Sequence, residues 1–251
     1  SSTGGAGADS FVATAATVAG ATVTTLNAGD NLKGGEGTDT LTLSNTSATS
    51  AFGAGVTTSS IENLSVNAVT ATSVDASLMS GITGVTNNGS LSAVTVTGLA
   101  AIPEVSVIAS SANTTLTMGA AAVVGTADEM TVTLNGASTV SASTITAEGI
   151  EKFNVNATGT ASGALTKSIT LTSATLKDVA ITGTAASALT ITLGGATTAD
   201  AGSVTGSAAA NTVALTADAA DTISVDLGAG NDVLVLGAIS KSQTISGGDG
   251  I

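Results

Sequence analysis

Three features of this 251-residue sequence predict an all-β fold, a parallel β-roll or β-solenoid with glycine-built corners. The first is a nonapeptide: Gly34 to Thr42 fits Gly-Gly-x-Gly-x-Asp-x-(apolar)-x at every fixed position, a pattern of stacked β-helix repeats that bind calcium. The second is composition. The apolar fraction of 43% consists of Ala, Val, Leu and Ile with three Phe and no Trp or Tyr, a supply that suits a thin repetitive core better than a thick globule. Thr, Ser and Val favour strands and Gly marks corners. The third is a series of short segments with period-2 apolar alternation, many recurring every ~10 residues. That spacing fits a β-sandwich as well, so β-sandwich-like units joined to the roll stay open.

The nonapeptide organises the rest. Its glycines at the first, second and fourth places are expected to turn sharply with φ > 0 and to expose their carbonyls. Asp39 adds a hard, charged oxygen, and carbonyls with carboxylates are what calcium prefers. Leu41 and Leu43 then alternate with Thr40 and Thr42 as a strand with one apolar face. A second full copy opens the chain, Gly4-Gly5-Ala6-Gly7-Ala8-Asp9-Ser10-Phe11-Val12. Nine residues before Asp39, Asp30-Asn31-Leu32 repeats the phase of Asp39-Thr40-Leu41, so two nonapeptides are expected to complete one coil. A weaker copy, Leu227-Gly228-Ala229-Gly230-Asn231-Asp232, carries Leu in place of the first Gly. Gly247-Gly248-Asp249-Gly250-Ile251 starts another, so the chain reads as a segment of a longer protein.

Along the chain, residues 1–45 hold the two clean copies, with Thr22 to Leu26 between them. Residues 46–60 read as a loop. Strands are expected at Asn63–Asn67, Ala93–Thr97, Val105–Ile108, Thr114–Met118, Met130–Leu134, Lys152–Asn156, Ile169–Thr172, Asp178–Thr182, Leu189–Leu193, Thr212–Leu215, Thr222–Leu227, Val233–Leu236 and Gln243–Ser246. The octapeptide Ile61-Glu-Asn-Leu-Ser-Val-Asn-Ala68 matches Ile150-Glu-Lys-Phe-Asn-Val-Asn-Ala157, and the same offset carries Asp39 onto Asp128. This divides the Thr/Ala/Ser-rich region 46–210 between two units, 34–122 and 123–211, ahead of a final 211–251 segment. Glu62 and Glu151 fall at coil corners, where a structural role is expected ahead of calcium ligation.

Composition excludes several functions. With a net charge of −13, five Lys and no Arg, the chain lacks the cations that phosphate contacts need. Cysteine is absent, and with it disulfides and thiolate–metal sites. No apolar run reaches the ~18 residues of a membrane span. Histidine is absent, removing the usual general base. Asp218, Asp221 and Asp226 sit among Ser, Thr and Ala with no aromatic wall and no Arg to clamp a substrate. No enzyme active site is therefore expected.

The glycine-aspartate repeats resemble those of the RTX family of secreted, calcium-dependent bacterial proteins. The Thr/Ala/Ser/Gly/Val-rich sequence between them is similar to that of the RTX-type surface-layer (S-layer) proteins of Gram-negative bacteria. That resemblance implies calcium bound between turns of adjacent coils, with carboxylates from Asp9, Asp39 and Asp232 and carbonyls from Gly5, Gly7, Gly35, Gly37, Gly228 and Gly230. Asp30 would complete a half-site. It also implies type I secretion, an extracellular cell-surface location, self-assembly into a lattice, and anchoring to a cell-surface polysaccharide through parts outside this segment. The alternatives are a stalk or binding module of an RTX adhesin and the non-catalytic part of an RTX hydrolase. The Thr-x-Thr pairs, among them Thr95/Thr97 and Thr190/Thr192, resemble ice-binding solenoids in that one respect.

Overall fold

A computed structural model describes residues 1–47, 50–135, 143–158, 167–193, 201–216, 222–237 and 243–250, and every regular element in them is a β-strand. The chain divides into two compact units, Ser1–Val123 and Val124–Ile251.

The first unit holds β1 (Ser2–Thr3), β2 (Ser10–Val18), β3 (Ala21–Thr24), β4 (Asn31–Lys33), β5 (Thr40–Asn45), β6 (Ser50–Phe52), β7 (Thr57–Ser59), β8 (Asn63–Ala68), β9 (Thr72–Asp75), β10 (Gly84–Asn88), β11 (Val94–Leu99), β12 (Glu104–Ile108) and β13 (Thr114–Met118). The sheets run β3-β2-β5-β8-β10-β12, β6-β9-β11-β13 and β1-β4-β7. Except for the antiparallel pair β2/β3, these neighbours are parallel and come from successive coils, which defines a β-solenoid.

Parallel register stacks like on like. Phe11, Leu41, Leu64, Val85 and Val105 form one column. Phe52, Val74, Val96 and Leu116 form another on the second sheet. Each Leu or Val so buried stabilises the fold by ~1.5–3 kcal/mol, so a core of aliphatic residues with only three phenylalanines suffices when every coil repeats it. Two asparagines enter this core and donate across it: Asn45 Nδ2 to Thr72 Oγ1 and Asn87 Nδ2 to Thr114 Oγ1, each at 2.9 Å, while Asn87 Oδ1 is buried without a partner. A buried amide without such a partner is costly.

Two expectations are corrected. The stretch 46–60 is not one loop, because β6 and β7 lie in it. Its strands are three residues each, too short for alternation to betray them. A coil is also longer than two nonapeptides, since equivalent corners lie 30 residues apart from Asp9 to Asp39 and 23 from Asp39 to Glu62. The strands β4 and β5, either side of one glycine turn, join different sheets.

Strands β2 and β3 make a hairpin through Ala19 and Gly20, both at positive φ, +51° and +84°. A two-residue turn with both residues left-handed is the type that matches strand twist, and Asn-Gly suits it best. Ala19→Asn is expected to stabilise the protein by roughly 0.5–1 kcal/mol, because the short polar side chain of asparagine hydrogen-bonds locally and offsets the left-handed cost that alanine bears, read as a higher urea midpoint.

The second unit holds β14 (Glu129–Asn135), β15 (Ser143–Ala147), β16 (Lys152–Ala157), β17 (Lys167–Thr172), β18 (Asp178–Gly183), β19 (Ser187–Thr192), β20 (Ala201–Thr205), β21 (Asn211–Thr216), β22 (Thr222–Asp226), β23 (Val233–Leu236) and β24 (Thr244–Ser246). Even-numbered strands form one parallel sheet and odd-numbered strands the other. Met130, Phe153, Val179, Val204 and Val225 stack on one, and Ile145, Leu171, Ile191 and Leu215 on the other. A sandwich of the kind left open by the spacing is built from antiparallel strands. Both units are solenoids instead.

Candidate metal centre

The glycine turns of the first unit lie one on the other. Gly4 N donates to Lys33 O at 2.8 Å, Gly7 N to Glu36 O at 2.7 Å, and Glu36 N to Gly5 O at 3.2 Å. The glycines serve two purposes. Gly7, Gly35 and Gly37 adopt φ of +109°, +114° and +123°, as a sharp turn demands. Gly4, Gly5 and Gly34 are not left-handed, contrary to expectation. For Gly4 and Gly34 the reason is close approach: a Cβ on Gly34 would collide with Ser60 O and Asp39 Oδ2, and one on Gly4 with Gly34 O and Asp9 Oδ2. Each aspartate thus folds back over the first glycine of its own turn, and Asp9 Oδ2 accepts from Gly5 N at 2.7 Å.

The aspartates also link one coil to the next. Asp39 Oδ1 accepts the Asp9 N–H at 2.7 Å, and Glu62 Oε2 accepts the Asp39 N–H at 2.8 Å. The second unit repeats the step, with Glu151 Oε2 accepting the Asp128 N–H at 2.9 Å. On its other sheet, Asp232 Oδ1 accepts the Asn211 N–H, 2.8 Å away. In each case a carboxylate at a turn-to-strand corner holds the main chain of the corresponding corner one coil earlier. The glutamates are the functional detail that the nonapeptide pattern misses. The signal that could find them was the matched Ile-Glu octapeptide: Asp39 and Glu62 stand in the same relation as Asp128 and Glu151, 23 residues apart in both. Glu62→Ala is expected to cost about 1–3 kcal/mol, because it leaves the Asp39 N–H without its charged acceptor. Glu62→Gln, which keeps an acceptor oxygen, should restore most of this in urea unfolding.

One oxygen is left over at three of these corners. Asp39 is wholly buried, and its Oδ2 has no hydrogen-bond partner. Oδ2 of Asp128 and of Asp232 is also buried and unpartnered. A buried anionic oxygen without a donor is costly and is relieved by a cation. Asp39 Oδ2 and Ser60 O both crowd the side of Gly34, and Asp9 Oδ2 and Gly34 O that of Gly4. All four are hard oxygens of the type calcium takes. The donor chemistry therefore fits calcium. Among the described residues no group of three His, Cys, Asp or Glu gathers at one point, so an ion here would complete its usual ~6–8 oxygens from carbonyls and water.

The other expected ligands fall as follows. Gly5, Gly7, Gly35 and Gly37 lie in the two stacked turns with Asp9 and Asp39. Gly228 and Gly230 turn with φ of +81° and +122°, stacked against the Ser207 and Ala209 backbone on one side. On the other side lie Gly248 and Gly250, whose Cβ atoms would meet Gly228 O and Gly230 O. Asp30 lies apart from this column and closes a local turn, its Oδ2 accepting from Asn27 N at 2.8 Å. Asp226 does likewise for Gly228 N at 3.2 Å. Asp218 and Asp221 lie outside the described residues.

No protein-family model matches this sequence, and no curated protein is detectably similar to it.

Proposed function

We propose that this chain is a structural segment of a secreted bacterial surface layer, a calcium-stabilised β-solenoid that assembles with copies of itself into an extracellular lattice. The observation that carries the calcium reading is Asp39: a fully buried carboxylate, one oxygen stapling the previous coil and the other with no partner, set in a turn where every nearby acceptor is a hard oxygen. The structural reading is supported by the architecture. Binding energy is spread along stacked coils, and the outer faces carry rows of threonine such as Thr144, Thr170 and Thr190. Calcium outside the cell would fill such a site after export, and a ligand of the folded state stabilises it. Electron microscopy of the purified protein tests the proposal. Sheets with a single repeat spacing are expected in millimolar calcium and not in chelator. Monodisperse particles under both conditions would overturn it.

A further inference from the structure

We propose that the β2–β3 hairpin is an arm through which one copy of this chain pairs, strand edge to strand edge, with the same hairpin of a second copy. The inference rests on the self-assembling reading above and names the contact.

The hairpin is anchored at its base and unsupported beyond it. β2 pairs with β5 from Ser10 to Ala15, and Leu26, buried at 6% exposure, plugs into the core beneath. Thr25 N donates to Thr14 O at 3.0 Å and Thr14 N to Thr25 Oγ1 at 2.8 Å, closing the base. Past Ala15 the partnership with β5 ends, and among the described residues Ala16 to Val18 pair only with β3. Every residue from Thr17 to Val23 is exposed, with Val18 at 58% and Val23 at 48%. Both faces of the ribbon therefore meet water. A two-stranded ribbon in that condition is marginal at best and is stabilised by a third strand.

The free edge of β3, though short, carries neither charge nor proline. Lysine, proline and inward charges are the usual devices. No charged residue and no proline occurs from Ser10 to Gly29. Charge also points to the occupant. Two copies each carrying −13 repel, and contact is least costly through a neutral element that stands away from the acidic corners at Asp9 and Asp39. A second copy offers the matching neutral edge, in the two-fold arrangement commonest for identical chains. Antiparallel pairing of the β3 strands of two copies makes a four-stranded ribbon whose central hydrogen bonds are intermolecular.

The absence of cysteine makes the test clean. Thr22→Cys on the arm and Leu91→Cys, on an exposed turn of the same unit, are each treated with a short bis-maleimide. Covalent dimers are expected from the first and not from the second. Val23→Lys should weaken dimer formation by ~10-fold in sedimentation, while its urea unfolding stays that of the parent, since Val23 touches no core. Dimer yields from Thr22→Cys no higher than from Leu91→Cys, or unchanged association in Val23→Lys, would overturn the arm. The two readings separate cleanly. Sheets that form without Thr22 cross-linking leave the surface layer standing and remove the arm. Cross-linked dimers without sheets do the reverse.

Discussion

Gly34→Ala is expected to destabilise the first unit by about 3 kcal/mol, the upper end of overpacking penalties. The cause is not backbone handedness, since Gly34 has no positive φ. It is that the space for a methyl group is already taken by Ser60 O of the next coil and by Asp39 Oδ2. The Ser60 carbonyl cannot retreat without disturbing the adjoining rung, in which Gly34 N donates to Ser59 O at 2.9 Å. Gly5 is the control. It occupies the second motif position, adopts no positive φ, and a Cβ there would meet nothing within 4 Å. Gly5→Ala should change stability by no more than about 0.5 kcal/mol. Urea unfolding of both variants in chelator makes the comparison independent of any ion. Equal effects would show that coil approach at Gly34 is not what the motif's first glycine provides.

Asp39→Ala is expected to produce two losses that separate by condition. In chelator it leaves the Asp9 N–H unpaired but also removes the unpartnered Oδ2, so the net cost should be about 1–2 kcal/mol. In calcium at a hundredfold over its dissociation constant, a bound ion adds ~2.7 kcal/mol to the parent, and the variant should gain none of it. Asp39→Asn sharpens the point. Its amide oxygen can still accept from Asp9 N, so stability in chelator should stay near the parent's while the calcium increment disappears. Asp75→Ala serves as reference. The Asp75 carboxyl is held below its usual range by the Ser77 hydroxyl and backbone N–H, an interaction remote from the glycine turns. That variant should keep the full calcium increment. Scanning calorimetry with and without calcium reads all three. The same increment in Asp39→Ala as in Asp75→Ala would remove the metal centre.

Much of the fold was legible because its strands obey one rule. Where large apolar residues alternate with threonine or serine, as in Thr114–Met118 or Met130–Leu134, the strand stands where alternation places it. Four strands escaped for a shared reason. In β10, inward-facing Asn87 replaces an apolar residue. In β15, Ser143 and Ala147 flank a single large side chain, Ile145. In β9, Thr72 points inward with Val74, and β20 buries only Val204. The solenoid accepts small and polar residues at inner positions when a neighbouring coil supplies a hydrogen-bond partner, which alternation within one strand cannot reveal. The aspartates were legible as a local motif. Their use as acceptors for a coil 30 residues away was not, because that depends on register between coils. The hairpin stayed hidden because Ala19-Gly20 is a poor version of the usual turn dipeptide.

In the first unit the carboxylate links at the glycine corners run one way along the chain, while in the second Glu148 Oε2 reaches forward to accept from Ala174 N. The side chain that fixes Asp9 belongs to Asp39, and the one that fixes Asp39 belongs to Glu62. During synthesis, with the amino-terminal end emerging first, a corner just made thus lacks its carboxylate acceptor until the following ring closes against it, when Thr40 N also reaches Asp9 O and Asn63 N reaches Asp39 O. Closure of each such corner is a joint event of two rings, and a truncation between them would leave the last corner unfastened.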